Sequence, residues 1–284
     1  MQNNIIKYDK NITFDNIKIV DSSFISPISE EEKKFIIKHY EDITGSKPFN
    51  GKVIRLEKLS PVIEVSEIDF FDLLTTNILL NNTNFNIKDY NFLYQLVEIR
   101  KKIMSKLVEI RSAEDILTNK YISNAISVST LLIDADGYLG IVERKTNTVI
   151  NSGKYADTST GTVSTGDISY CCNGNKCYLY KNPFLDSAKR ELLEETNIKT
   201  KLYFDGIIFP IQKMQPVFLY SGKLDKSWAD LMPDIKKAKD FYNEIKTLKQ
   251  INLKDIDKFV AKNNFSDASA FHCELLAKKN RIIT

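Results

Sequence analysis

Histidine is nearly missing from this chain. Only His39 and His272 occur, and the four cysteines stand at 171, 172, 177 and 273. Neither type has the spacing of a four-ligand zinc site, so Cys171, Cys172 and Cys177 read as small side chains of a hairpin. His272 and Cys273 adjoin on an expected C-terminal helix without a further residue to complete a nucleophilic pair, and read as packing residues. No apolar run approaches the ~18 residues that span a bilayer. The start, Met-Gln-Asn-Asn-Ile-Ile-Lys, lacks the basic stretch and long apolar segment of a secretory signal. A cytoplasmic protein with no membrane partner is therefore expected, and in a reducing cytosol no disulfide. An excess of one charge is also lacking: 40 basic against 37 acidic residues leave +3, no electrostatic footprint for nucleic acid. No internal repeat or low-complexity linker divides the sequence. What remains, 43% hydrophobic and 27% charged, is the composition of a globular protein with one large or two modest domains.

Periodicity places a small α/β domain at 1–118. Ser29 to Glu32 reads as a capping box that starts a helix through Phe35, Ile36 and Tyr40 and stops before Gly45. Lys52 to Glu57 and Val62 to Val65 read as strands around Ser60-Pro61, and Asp69 to Leu74 as a turn of helix. Residues 88–111 carry a helical pattern, with Leu93, Leu96, Val97, Ile103, Leu107 and Ile110 on a broad apolar face. Arg100, Lys101, Lys102 and Lys106 form its solvated side. This region is a candidate cap for a pocket, and the helix a candidate homodimer surface. A second domain, 119–284, opens with strands at Ser127 to Asp134 and Leu139 to Glu143 joined by the turn Asp134-Ala-Asp-Gly137. Strands are expected again at Leu202 to Phe209 and Pro216 to Tyr220, and helices at 235–249 and 253–263.

The densest chemical signal is Arg190-Glu-Leu-Leu-Glu-Glu-Thr196. On a helix, Glu191, Glu194 and Glu195 fall within an arc of roughly 100°, while Leu185, Ala188 and Leu192 supply a buried flank. Like charges so close repel by a few tenths of a kcal/mol per exposed pair. A divalent cation, Mg²⁺ (or Mn²⁺), is the simplest agent that would hold them together. An acidic surface face on an ordinary amphipathic helix is the other reading. Upstream, Gly161-Thr-Val-Ser-Thr-Gly-Asp167 is a loop of small residues ending in an acid.

Together the two segments resemble the Nudix box, G-x5-E-x7-R-E-U-x-E-E-x-G-U, where U is aliphatic. Gly161 and Asp167 match the first part, with Asp for Glu; Arg190, Glu191, Leu192, Glu194, Glu195 and Ile198 match the second, with Asn197 in place of glycine. Asparagine is the next-best residue for a left-handed helix terminus. Between Asp167 and Arg190 stand 22 residues, 168 to 189, where the family has seven: an insertion of 15. Ile168 to Cys172 and Cys177 to Tyr180 around Asn173-Gly-Asn-Lys176 read as a hairpin, and Asn182-Pro183 as a helix start.

The resemblance implies a Nudix-type α/β/α sandwich and metal-dependent hydrolysis of a small-molecule nucleoside diphosphate derivative. It implies Glu194 and Glu195 as metal ligands, with Glu191 completing the cluster or orienting water. Arg190 would fix a carboxylate rotamer, and Gly161 would bring the backbone close to the metal. Glu244 is the candidate for a further downstream acid. Arg144 and Lys145, ending a strand, would reach phosphates, and Gln215 and Tyr220 are candidates to meet a base or sugar. Phe49-Asn-Gly-Lys52, Arg55-Leu56 and Thr75-Thr-Asn77 resemble the N-terminal region of the animal UDP-glucose pyrophosphatase branch, which points to a nucleotide sugar. The alternative is a catalytically weak Nudix-fold nucleotide-binding or regulatory module.

Overall fold

The computed structural model of the chain describes residues 5–8, 10–38, 50–79, 90–107, 109–146, 153–168, 170–173, 176–179 and 182–283. In chain order these form β1 (Ile5–Tyr8), β2 (Ile17–Ile19), α1 (Glu30–Lys38), β3 (Lys52–Lys58), β4 (Ile63–Asp69), α2 (Phe70–Leu73), α3 (Tyr90–Met104) and α4 (Ala113–Leu117). Next come β5 (Ser127–Ile133), β6 (Tyr138–Arg144), β7 (Tyr155–Ala156), β8 (Ser159–Thr162), β9 (Tyr170–Asn173), β10 (Lys176–Leu179) and α5 (Pro183–Thr196). The chain closes with β11 (Leu202–Pro210), β12 (Val217–Lys223), α6 (Trp228–Ile235), α7 (Phe241–Glu244), β13 (Ile245–Asn252), α8 (Ile256–Lys262) and α9 (Asp267–Ile283). A π-helical turn, Leu74–Ile78, continues α2.

The fold is α/β. The larger sheet runs β1-β11-β12-β5-β6-β13, with β8 also on β5 and β7 on β6. Strands β5 and β12 are parallel, Ser127 beside Val217, and the other pairs are antiparallel. Alternation along β5 sends Val128 and Leu132 to one face and Leu131 to the other. The first face packs with Phe184, Ala188 and Leu192 of α5 and with Trp228 of α6. The second packs with Ile256 and Val260 of α8 and Cys273, Leu276 and Ala277 of α9. Helices thus cover the large sheet on both sides. Cys273 is a packing residue, as expected.

A smaller sheet runs β3-β4-β2-β10-β9. Segments from either side of residue 118 are exchanged between the sheets: β1 edges the large one, and β10 pairs with β2 in the small one. One apolar core extends through both regions, from Ile17, Leu56 and Leu96 to Phe218 and Ile245.

Several expectations change. The helix expected at 88–111 ends at Met104, where Ser105 and Lys106 turn out of it; Leu96 and Ile103 are buried but Val97 is exposed. Residues 235–249 are not one helix: α6 ends at Ile235, α7 covers only Phe241–Glu244, and Ile245–Asn252 is a strand on β6. Ile245, Leu248 and Ile251 mimic helical spacing, and pairing along the β6 edge overrides it. Tyr40, Gly45, Phe49 and the hairpin tip at 174–175 lie outside the described residues. No described helix is long and apolar enough to cross a membrane.

Candidate active site

The acid-bearing helix α5 is fixed at both ends by its own sequence. Asn182 Oδ1 accepts the N–H groups of Phe184 (3.1 Å) and Leu185 (3.2 Å), and Pro183 opens the first turn where no amide partner is required. At the other end Asn197 is left-handed, φ 57° and ψ 18°, and its N–H reaches Leu193 O at 2.9 Å. With Phe184, Ala188 and Leu192 buried on the sheet, the helix phase is set: Glu191 and Glu195 turn inward and Glu194 stays at the rim.

Strand β8 runs under this face, Gly161 paired with Val128 of β5. A Cβ on Gly161 would stand 1.9 Å from Glu191 Cδ and 2.1 Å from its Oε1. A side chain here would have to displace the Glu191 carboxylate, which lies on the backbone itself. Arg190 is forked onto Asp167 (Nε–Oδ1 2.7 Å, Nη2–Oδ2 3.0 Å) and also pairs with Glu191 and Glu194, both at 2.9 Å. Asp167 is in turn gripped by Ser164 N (2.9 Å) and Oγ (3.0 Å). Asp167 therefore anchors the arginine, and the arginine holds two carboxylates of the helix.

Pairing of β13 with β6 sets Ile245 against Arg144 and so brings Glu244 into the site. Arg144 is buried and binds both Glu244 Oε2 and Glu195 Oε1 (3.4 Å); it also donates to Thr160 Oγ1 (3.1 Å). Glu195 is 1% exposed and accepts a long bond from Thr160 N, 3.4 Å. Burial pushes Glu191 up to about 7, against the pull of Arg190; Glu194 and Glu244 add to the rise. Burial likewise drives Glu195 well above the usual carboxylate range, opposed by Arg144 and reinforced by Glu244 and Glu191. Arg144 keeps its charge, because a guanidinium does not deprotonate in a protein. Arg144 is shared by two carboxylates, Glu244 partly exposed and Glu195 buried, so a proton is favoured on Glu195. Asp167 moves the other way: its burial is outweighed by Arg190 and Ser164.

Thus Arg190, Glu191, Glu194, Glu195, Glu244, Arg144 and Gly161 come together. Lys145 lies beside them, its Nζ donating to Tyr242 O and its N–H to Glu244 O. Two placements differ from expectation. Arg144 is enclosed by its carboxylates rather than turned to an open phosphate position. The three helix glutamates are not gathered on one point, since Glu194 turns to Arg190 and to Lys239 (3.1 Å). Among the described residues no three His, Cys, Asp or Glu are grouped as a ready cation cage. The donor set nevertheless suits a hard divalent ion: carboxylate oxygens, two of them buried and prone to protonation, over a backbone that no side chain can cover. Tyr220 is buried in the core beside Phe204, ring centroids 5.7 Å apart, and does not line the site.

A polar cluster that the sequence did not announce lies on the opposite face. His272 is buried between Asp157 (Nδ1–Oδ2 2.5 Å) and Asp205 (Nε2–Oδ2 3.2 Å), with Ser129 also on Asp157 and Lys279 on Asp205. It ties α9 to the sheet. Its partners are 115 and 67 residues away, so no local pattern could reveal it. Arg55 is likewise a buried staple, paired with Glu57 at 2.8 Å and bound to Ile122 O and Asn119 O, and it serves the join between the two regions.

No family model matches the chain, and no curated protein matches it. Among solved structures it is similar to a MutT protein from Methanosarcina mazei Go1, at 19% identity over 55% of this chain and 94% of that one, TM-score 0.38. It is similar also to the NUDIX domain of Shewanella oneidensis NrtR, complexed with ADP ribose: 12% identity, 60% and 99% covered, TM-score 0.36. A third is a bifunctional NMN adenylyltransferase/ADP ribose pyrophosphatase from Francisella tularensis, complexed with AMP and Mn ion: 16% identity, 69% and 55% covered, TM-score 0.35. None of these likenesses is close enough to transfer an activity, and the functional reading rests on this chain's own side chains.

Proposed function

We propose that this protein is a Nudix-type, divalent-metal-dependent diphosphatase that hydrolyses a nucleoside diphosphate linked to another moiety, a nucleotide sugar among the candidates. The observation that carries the proposal is the seating of Glu191 on Gly161, with Glu195 and Glu244 sharing Arg144 beside it. A merely acidic helix surface has no reason to bury two glutamates against a glycine strand, at the desolvation cost that raises both.

Glu191, Glu195 and Glu244 would hold the cation, with Glu194 at the rim available by rotating away from Lys239. When bound, a divalent ion neutralises phosphate oxygens and acidifies water. The chain's own residues do the rest. Arg190, clamped by Asp167, restrains Glu191 and Glu194. Glu191, held over Gly161 by Arg190, would complete the ion's ligand set or orient an attacking water. Arg144 keeps Glu195 and Glu244 together.

One observation favours the second reading, a nucleotide-binding module that does not cleave. Every carboxylate of the cluster has a cationic partner within the chain, Arg190, Arg144 or Lys239, so the acids are partly compensated without metal. A release assay over nucleotide sugars, ADP-ribose, dinucleotides and nucleoside triphosphates with Mg²⁺ or Mn²⁺ decides between them. The enzyme reading expects turnover of at least one compound, abolished in Glu195→Gln. Tight binding of several compounds without turnover of any would leave the binding module in its place.

A further inference from the structure

Arg144 bridges the helix acid Glu195 and the downstream acid Glu244. Its terminal nitrogens take one oxygen from each, Nη1 from Glu195 (Oε1, 3.4 Å) and Nη2 from Glu244 (Oε2). Three further constraints hold it there. Nη1 donates to Thr160 Oγ1 at 3.1 Å, the backbone N–H donates to Lys154 O at 3.0 Å, and the register of β13 on β6 sets Ile245 beside it. The side chain is 6% exposed, and its buried Nε meets no acceptor among the described residues. A group kept for its hydrogen bonds would not leave a buried donor unmet. One kept for its charge can, since a guanidinium stays protonated wherever it is placed.

Oxygen by oxygen, the cluster is half committed. Glu195 gives Oε1 to Arg144, and its Oε2 accepts only the long bond from Thr160 N, 3.4 Å. Glu244 gives Oε2 to Arg144 and Glu191 pairs through Oε1 with Arg190, while no hydrogen bond from a described residue occupies Glu244 Oε1 or Glu191 Oε2. Glu194 differs, with Oε2 on Arg190 at 2.9 Å and Oε1 on Lys239 at 3.1 Å. Three acids thus keep one oxygen each for a hard ion, which completes its shell with water and substrate. The charges agree. With every acid ionised, the five carboxylates of Asp167, Glu191, Glu194, Glu195 and Glu244 pair with three cations, Arg144, Arg190 and Lys239. The flanking Asp240 and Lys145 are opposite in sign and cancel. Two negative charges are left, which one divalent ion balances; without Arg144 there would be three.

We infer that Arg144 is a built-in counter-charge, standing between Glu195 and Glu244 where a second ion would otherwise sit, so that this site holds one divalent ion through Glu191, Glu195 and Glu244. The inference rests on the diphosphatase reading and adds to it the number of ions and the residue that sets it. A two-ion site places its metals about 3.5–4 Å apart; here one of the two positive charges belongs to the chain, is permanent, and does not depend on metal supply. The same role accounts for the enclosure of Arg144. A side chain at a strand end could have reached for phosphate, and this one is spent on holding two acids together.

The test is Mn²⁺ titration at pH 8 read by electron paramagnetic resonance, which needs no turnover, counting ions held with Kd below about 100 μM. The parent should bind one ion per chain. Arg144→Met should bind two, close enough for their spins to couple and broaden the spectrum. Arg144→Lys, which keeps a charge at the position, should return the count to one. Where methionine prevents folding, Arg144→Gln, closer in shape and equally neutral, takes its place with the same expected count of two. Two ions in the parent overturn the inference whatever the variants do. Any count other than two in a folded neutral variant also overturns it, and leaves the diphosphatase reading standing. A parent that takes up no Mn²⁺ overturns the diphosphatase reading with it.

Discussion

Replacing Gly161 by alanine isolates the contact on which the site is built. The added methyl would lie 1.9 Å from Glu191 Cδ, 2.1 Å from Oε1 and 2.4 Å from Cγ. Ordinary carbon contacts need about 3.5 Å, so the carboxylate must move by about 1.5 Å or the strand must yield. The strand is held by its pairing with β5, and Arg190 sits 2.9 Å from the same carboxylate. Gly161 is not left-handed, so alanine carries no backbone penalty and the clash is the whole effect. Overpacking of this kind costs about 1–3 kcal/mol, and a displacement near 1 Å costs about 100-fold in turnover. The measurement is a double-mutant cycle by urea denaturation of the parent, Gly161→Ala, Glu191→Ala and the double variant. Glu191→Ala removes the three atoms nearest the methyl, so most of the penalty should vanish there, giving a coupling of about 1–3 kcal/mol. Equal penalties in both backgrounds, within about 0.5 kcal/mol, refute the seating of Glu191 on Gly161.

Three further outcomes are expected. Glu191 rises from 4.5 to about 7 on folding, so the folded state holds a proton that the unfolded state has released; stability falls as pH rises through that window, by up to about 3 kcal/mol above it, and urea titrations of Glu191→Gln should show a flatter profile. His272 rises to about 9 between Asp157 and Asp205, burial opposing and the two aspartates prevailing. Its stabilisation is then complete below pH 6.5 and lost as pH climbs through 9, and His272→Gln should cost about 3–5 kcal/mol at pH 6 by leaving the buried Asp157 carboxylate without its cation, while Asp205 keeps Lys279. At the left-handed Asn197, glycine should stabilise the protein by up to about 1 kcal/mol and alanine destabilise it by about as much, which thermal melts would read.

What the sequence made legible is what local physics decides. Asn182-Pro183 and Asn197 are short-range signals for starting and ending α5, and both act as read. Arg190, Glu191, Glu194 and Glu195 owe their common face to helix geometry alone. Gly161 was recognised as a close-approach position, though what approaches in the structure is Glu191 itself. Glu244 was identifiable as an acid but not its route into the site, because 245–252 carries helical spacing and only its pairing with β6 makes it a strand. Arg144 was assigned to phosphate from its place at a strand end; the same register that delivers Glu244 encloses it. The Asp157–His272–Asp205 cluster, the exchange of β1 and β10 between sheets, and Asn77 on the Lys213 turn all join residues far apart in the chain. Such contacts are fixed by tertiary packing and leave no periodic trace.

The central claim is that the buried glutamates of α5 serve a cation. Mn²⁺ titration at pH 8, followed by loss of the free-ion electron paramagnetic resonance signal, tests it most directly. The parent should bind one or more ions with release of a proton from Glu195, and Glu195→Gln should bind at least 10-fold more weakly. A parent that leaves the free Mn²⁺ signal unchanged, or a Glu195→Gln variant that binds as the parent does, would contradict the account.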